Sequence, residues 1–384
     1  MTDARYKASL DELDAVHRLR ATRVFDPSRE GLLNASSNDY MGLARHPECI
    51  ARACRFTRDW GAGSASSRLI CGTLPPHEAL EAKLARLKGT DAALIMSSGF
   101  QTNASALAAL LDRQTLGAEP LVFADKLNHA SMHEGCRRAG ARQIRYRHLD
   151  MNHLEMLLAK HAGIPGPRFI LTETVFSMDG DRADVPALAG LATRYGAFLY
   201  LDEAHAVGVL GSRGMGLASG VPIENGLIMG TFSKALGSYG AYVCCTATVR
   251  EYLVNRAPGF IFSTALPPAA LGAADAALDL VPAMDAQREA LHARSGRLRA
   301  CLSAAGLDTA GSSTQIVPVL AGEETRALAA MRALEAEGIL AVAVRPPTVP
   351  PGGSRLRLSL TALHTDADVD RLADAVIRVL RDME

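Results

Sequence analysis

Between residues 90 and 245 the chain alternates short apolar runs with longer stretches of helical periodicity. The runs at 92–96, 121–124, 143–146, 169–171, 198–201, 227–229 and 242–245 have the length of strands. Stretches at 152–160 and 185–195 carry apolar residues at helical spacing between them. Such alternation predicts a large, mainly parallel sheet with helices on both faces. In sheets of this kind ligands bind beyond the carboxyl ends of the strands. Polar residues follow the runs at those ends, namely Ser97-Ser98-Gly99, Asp125, Thr172-Glu173, Asp202-Glu203 and Thr231. They are expected to converge on one cleft.

The pattern differs on either side. A charged, helix-like segment at 10–22 and a turn-rich stretch to Tyr40 come first. After Pro267-Pro268 an alanine-rich helical stretch runs to about 302. Short strands at 315–320, 339–344 and 356–360 then alternate with helices at 324–337 and 366–381. The expected organisation is an N-terminal helix/strand segment over 1–40, a large domain over 41–280 and a smaller α+β domain over 281–384.

Composition narrows the function classes. The chain has 384 residues, 48% of them hydrophobic, enough for a sizeable core. Lysine plus arginine equals aspartate plus glutamate at 41 each, which leaves no basic field for nucleic acid or anionic lipid. The expected partner is a small molecule. Seven cysteines without a C-x-x-C pair suggest neither a disulfide framework nor a zinc ribbon. The N-terminus is charged where a signal peptide is apolar, and no run approaches the ~20 apolar residues of a membrane span. A cytoplasmic protein is expected.

Two residues carry the chemistry. Lys234, in Gly230-Thr-Phe-Ser-Lys-Ala-Leu-Gly237, follows an apolar run and is flanked by hydroxyls. An amine in a water-poor site sheds its proton more easily and attacks a carbonyl to form a Schiff base. Asp202 begins Asp-Glu-Ala-His205, one strand earlier. A carboxylate at the end of a buried strand is costly unless it meets a cation, and a protonated pyridine nitrogen is one. The two together are what pyridoxal 5'-phosphate requires, since its protonated ring draws electrons from an amino-acid α-carbon. Ser98, Gly99 and Phe100 open a helix after a strand, where free amides attract phosphate, with Thr231 and Ser233 adding hydroxyls. His129 suits stacking on the ring. His129 and His133 lie at metal-ligand spacing, but no H-E-x-x-H pattern or nearby cysteine supports a metal, and His133 reads as an exposed helix residue.

Seven ordered motifs, Ser36-Ser-Asn-Asp-Tyr-Met-Gly-Leu43, Ser98-Gly-Phe100, Asn128-His-Ala-Ser131, Thr172-Glu-Thr-Val-Phe-Ser-Met-Asp-Gly-Asp181, Asp202-Glu-Ala-His-Ala-Val-Gly208, Thr231-Phe-Ser-Lys-Ala-Leu-Gly237 and Phe262-Ser-Thr-Ala-Leu-Pro-Pro268, resemble the α-oxoamine synthases. These are pyridoxal-phosphate transferases of fold type I, and the resemblance runs from about residue 10 to the C-terminus. It implies that Lys234 holds the cofactor and moves the α-proton, that Asp202 pairs with the ring nitrogen, and that His205 and Ser177 bond its phenolic oxygen. It further implies His129 on the ring face, Arg357 with Asn38 at the amino-acid carboxylate, and Thr348 with Arg20 or Arg18 at the acyl substrate. Ser263 and Thr264 are implied to reach the phosphate of a neighbouring subunit, in a homodimer with shared active sites.

The run Arg345-Pro-Pro-Thr-Val-Pro350, with Arg355-Leu-Arg-Leu-Ser-Leu360, most resembles the branch that condenses L-alanine with a pimeloyl thioester, on coenzyme A or acyl carrier protein, for biotin synthesis. Three other branches stay open: 5-aminolevulinate synthase, 2-amino-3-ketobutyrate ligase and serine palmitoyltransferase. A non-catalytic subunit of the same fold would not need Lys234, Asp202, His205 and His129. A nicotinamide dehydrogenase would need G-x-G-x-x-G after a strand, and a serine hydrolase G-x-S-x-G; neither motif is present. One departure stands in Gly61-Ala-Gly-Ser-Ala-Ser66, with Ala65 where relatives usually carry glycine. A short loop is expected between Phe25 and Leu33.

Overall fold

The computed structural model describes residues 2–26 and 31–383. The chain forms two compact units, one of residues 38–177 and 182–289, the other of residues up to 37, 178–181 and from 290 on. The first is built on seven strands, β1 (Ala92–Met96), β2 (Leu121–Asp125), β3 (Gln143–Tyr146), β4 (Arg168–Glu173), β5 (Ala197–Asp202), β6 (Gly226–Thr231) and β7 (Ala241–Cys245). Their order across the sheet is β1-β7-β6-β5-β4-β2-β3. Strands β3, β2, β4, β5 and β6 pair in parallel, and β7 runs antiparallel to β6 and β1. Every residue of β5 is buried, which is why the run Phe-Leu-Tyr-Leu is apolar on both faces.

Each expected strand of this unit is present, and the helix Val185–Tyr195 has the bounds its periodicity predicts. Local chemistry explains those bounds: the Asp184 side chain accepts from the Ala187 amide, and Gly196 turns left-handed at φ +59° to end the helix. Because β4, β5 and β6 lie side by side, Glu173, Asp202 and Thr231 arrive together at one sheet edge. Gly237, at φ +61°, lets the chain after Lys234 pass against Leu43 and Ala44; a Cβ there would lie 2.2 Å from the Ala44 nitrogen. Ala65 adopts φ +59°, the left-handed region that favours the glycine usual among relatives.

In the second unit a three-stranded antiparallel sheet, Val342–Val344, Ser354–Ser359 and Ile316–Gly322, packs with the helices Glu324–Ala336 and Asp366–Arg381. Residues 2–26 and 31–37 group with this unit instead of standing apart, and Leu33–Asn34 pair in parallel with Ile339–Leu340. The unit boundary lies near 290 rather than 280 because the helix Asp285–Ala304 leads into it.

Three expected elements are corrected. The first helix lies at Thr2–Ala15, not 10–22, since His17 turns left-handed at φ +57° and the Arg18 amide closes back on the Leu13 carbonyl at 2.8 Å. The stretch from 268 to 302 breaks into Pro268–Leu280, a turn Val281–Ala283 and Asp285–Ala304, because Pro282 has no amide to continue a helix. The run 339–344 splits between two sheets. The loop expected between 25 and 33 passes through residues 27–30, outside the described ones.

Candidate active site

At the carboxyl edge of the sheet lies a cavity of about 250 Å³, lined by Ser98, Gly99 and Phe100 from the turn after β1, His129 and Ser131, Glu173, Asp202 and His205, and Thr231, Ser233 and Lys234. It therefore brings together nine residues that the sequence analysis assigns to the cofactor.

Asp202 forms the floor. It is 4% exposed, and its oxygens accept from the Asn103 side-chain amide at 2.7 Å and the Ala204 backbone amide at 2.9 Å. Asn103 cannot rotate freely, because its own oxygen takes the Tyr200 hydroxyl at 2.7 Å. Its Nδ2 also donates to Ser131 Oγ at 2.9 Å, and Ser131 Oγ lies 2.7 Å from His129 Nδ1. His129 caps the helix Ala130–Arg138 and meets the Phe100 ring edge-on at 6.4 Å. Burial, opposed by the charge of Asp202, pushes its imidazole below the ordinary value and favours the neutral form.

Lys234 Nζ lies 2.7 Å from His205 Nε2, and His205 Nδ1 lies 2.7 Å from the Tyr40 hydroxyl. Tyr40 gives its proton to Asn38 Oδ1 at 3.0 Å. The network then assigns Nδ1–H of His205 as the donor to Tyr40 and Nε2 as the acceptor from Lys234. Across the cavity, the helix Gly99–Leu110 begins with Ser98 Oγ accepting from the Gln101 amide. The first helical amides, those of Gly99 and Phe100, have no acceptor inside the helix, and Thr231 Oγ1 and Ser233 Oγ stand 2.7 Å apart beside them in the lining. The donor set suits pyridoxal phosphate: an amine for its aldehyde, a carboxylate for its ring nitrogen, and amides with hydroxyls for its phosphate.

The remaining residues fall elsewhere. Ser177 is buried beyond β4, where its backbone amide meets the Glu173 carboxyl. Ser263 Oγ accepts from the Gln101 side chain, and Thr264 pairs with Ser67; both line a separate small pocket with Arg68 and His77. Arg357, Thr348, Arg20 and Arg18 belong to the second unit. There Arg357 is 8% exposed and donates to Ser359 Oγ at 2.8 Å. Arg20 reaches Thr348 Oγ1 at 3.3 Å, while Arg18 is committed to Glu324 at 2.8 Å. His133, expected to be exposed, is half-buried and bonds Gln143 Oε1 at 2.7 Å, because the helix face it occupies packs toward β3. Among the described residues no group of three or more His, Cys, Asp or Glu can hold a metal, and no helix is long and apolar enough to cross a membrane.

Sequence reasoning gave no role to Asn103, Ser131 or Tyr40, and placed Glu173 only among the strand-end residues expected in the cleft. A signal existed for Asn103: it lies four residues after Gly99, on the same helix face, as a polar residue in an alanine-rich helix.

Residues 30–376 match the family of class I and II aminotransferases. A Paramagnetospirillum magneticum protein, provisionally named 8-amino-7-oxononanoate synthase, is 58% identical over 376 residues, covering 96% of this chain and 95% of its own. The 8-amino-7-oxononanoate synthase of Gluconacetobacter diazotrophicus is 53% identical over 387 residues, covering 97% and 96%. Among solved structures, SPT with a PLP internal aldimine matches with a TM-score of 0.88 at 27% identity over 98% of this chain and 97% of its own. Similarity that holds over nearly the full length of such relatives extends what the cavity alone implies: the chain belongs to the class I and II aminotransferase family, as a fold type I α-oxoamine synthase, an acyltransferase that uses pyridoxal phosphate.

Proposed function

We propose that this chain is an 8-amino-7-oxononanoate synthase, joining L-alanine to a pimeloyl thioester, on coenzyme A or acyl carrier protein, with loss of carbon dioxide. The observation that carries the reaction type is Asp202 and Lys234 lining one cavity. The choice of substrates is supported by the relatives' names and by the Arg20–Thr348 contact, which joins the two residues expected at the acyl end.

The bound cofactor supplies an electron sink for negative charge at the amino-acid α-carbon. The chain does the rest. Asp202, anchored by Asn103 and Ala204, keeps the proton on the ring nitrogen. His205, and with it Ser177, bonds the phenolic oxygen, and His129 covers the ring face. Gly99 and Phe100 amides with Ser98, Thr231 and Ser233 hold the phosphate, joined by Ser263 and Thr264 from the partner subunit of a homodimer. Arg357, assisted by Asn38, clamps the amino-acid carboxylate through a two-pronged bond that Lys could not make. That clamp decides which α-carbon bond stands perpendicular to the ring. Lys234 first binds the cofactor's aldehyde, then removes the α-proton and returns it at the end. Thr348 and Arg20 take the acyl chain and its distal carboxylate, a choice over Arg18 that is supported by the pairing of Arg18 with Glu324.

The test pairs alanine, glycine or serine with pimeloyl, succinyl or palmitoyl thioesters and follows thiol release. Fastest turnover with alanine and a pimeloyl thioester is expected, in a dimer of cytoplasmic origin. Preference for glycine with succinyl-CoA would overturn the substrate assignment while leaving the reaction class intact.

A further inference from the structure

Glu173 ends β4 at the position that pairs across the sheet with Asp202, the end of β5. Paired residues of parallel strands project to one face, and both side chains line the cavity. They are 3% and 4% exposed. Two ionised carboxylates side by side in a water-poor floor repel, and one of such a pair keeps its proton.

The surroundings decide which. Asp202 is aligned by a side-chain amide that Tyr200 prevents from turning, and it faces the place where a ring cation is proposed to sit. Glu173 meets the backbone amides of His129 and Ser177, burial disfavours its charge, and the charge of Asp202 adds to that. Three groups face it: Asp202 from β5, Lys234 from the segment after β6, and His129 from the start of its helix. His129 is held toward neutrality. Lys234 is the one cation among them, and its charge, which favours the ionised form of Glu173, is outweighed by burial and the charge of Asp202.

We propose that Glu173 works as a neutral carboxylic acid in the cavity floor, leaving Asp202, aligned by Asn103, as the single anion that meets the cofactor ring. The proposal rests on the reading of this cavity as a pyridoxal-phosphate site. A second anion beside Asp202 would compete for the proton on the ring nitrogen. The neutral acid avoids this, still accepting both backbone amides through its carbonyl and keeping an O–H to donate.

The experiment compares wild type with Glu173→Gln, which copies the shape and donor of the neutral acid. Infrared spectra of both holoenzymes at pH 7 are recorded in H2O and in D2O. A protonated-carboxyl C=O band that shifts on deuteration is expected in the wild type and absent from the variant. Urea unfolding from pH 5 to 7 gives an independent readout. A carboxyl whose folded pKa is raised takes up a proton on folding, so wild-type stability falls as pH rises above its ordinary value. The unfolding midpoint of Glu173→Gln should therefore gain on the wild type across that range. Identical carboxyl bands, or a midpoint gap that is constant or moves in favour of the wild type, would overturn the proposal, as would a variant that fails to fold. A colourless wild type that binds no pyridoxal phosphate would instead sink the cofactor reading, while band and midpoints still decide the state of Glu173.

Discussion

Asp202 and Glu203 are consecutive, both buried, and built for different ends. Glu203 turns into the protein and pairs with Lys88 at 2.6 Å, with side-chain exposures of 0% and 1%. Its other oxygen accepts the Ala218 amide at 2.8 Å, and Lys88 also donates to the Met215 carbonyl. Asp202 has two donors as well, but they are neutral, and the carboxylate opens on a cavity. A buried charge completed by the chain's own counter-charge fixes a turn. One held only by neutral donors at a cavity wall needs a ligand's charge to complete it.

Substitutions on the two sides should therefore fail differently. Lys234→Ala should lower kcat at least about ten-thousandfold and abolish borohydride trapping of the cofactor, since one side chain is proposed for both attachment and proton transfer. Glu203→Gln strands the Lys88 ammonium and should cost about 3–5 kcal/mol in urea unfolding, with KM for both substrates unchanged in the folded fraction. Equal stability to wild type would break the contrast drawn above. Asp202→Asn should reverse that profile, folding normally while kcat drops roughly a hundredfold to a thousandfold, as read from thiol release beside a melting curve. The smallest effect belongs to Asn103→Leu, which removes one hydrogen bond to a charged group and should weaken pyridoxal-phosphate binding roughly tenfold, measured by titrating the cofactor into apo-protein.

Much of this was legible beforehand. The seven strand runs, the strand-end residues Ser98, Gly99, Glu173, Asp202 and Thr231 and the Asp202/Lys234 pair could be read because each is local: an apolar run long enough to be buried, or a reactive residue placed just after one. Asp125 and Glu203, expected in the same cleft, are instead buried against His148 and Lys88. What escaped was non-local. Asn103 reads as a polar residue in an alanine-rich helix until Asp202, 99 residues away, is seen against it. Lys88 resembles any basic residue in the last turn of a helix, yet it is buried against Glu203. The expected helix at 10–22 failed for a smaller reason, since His17 takes a left-handed cap that its composition does not announce.

By itself, then, the sequence determined the alternating architecture and the cofactor class, because periodicity and a few chemically demanding residues survive without coordinates. Tertiary structure alone decided that Glu173 and Asp202 share one cavity, which partner aligns Asp202, and that Arg20 meets Thr348 while Arg18 pairs with Glu324. Those depend on which groups meet across the fold, and the free energy of a buried charge is set by its neighbours in space.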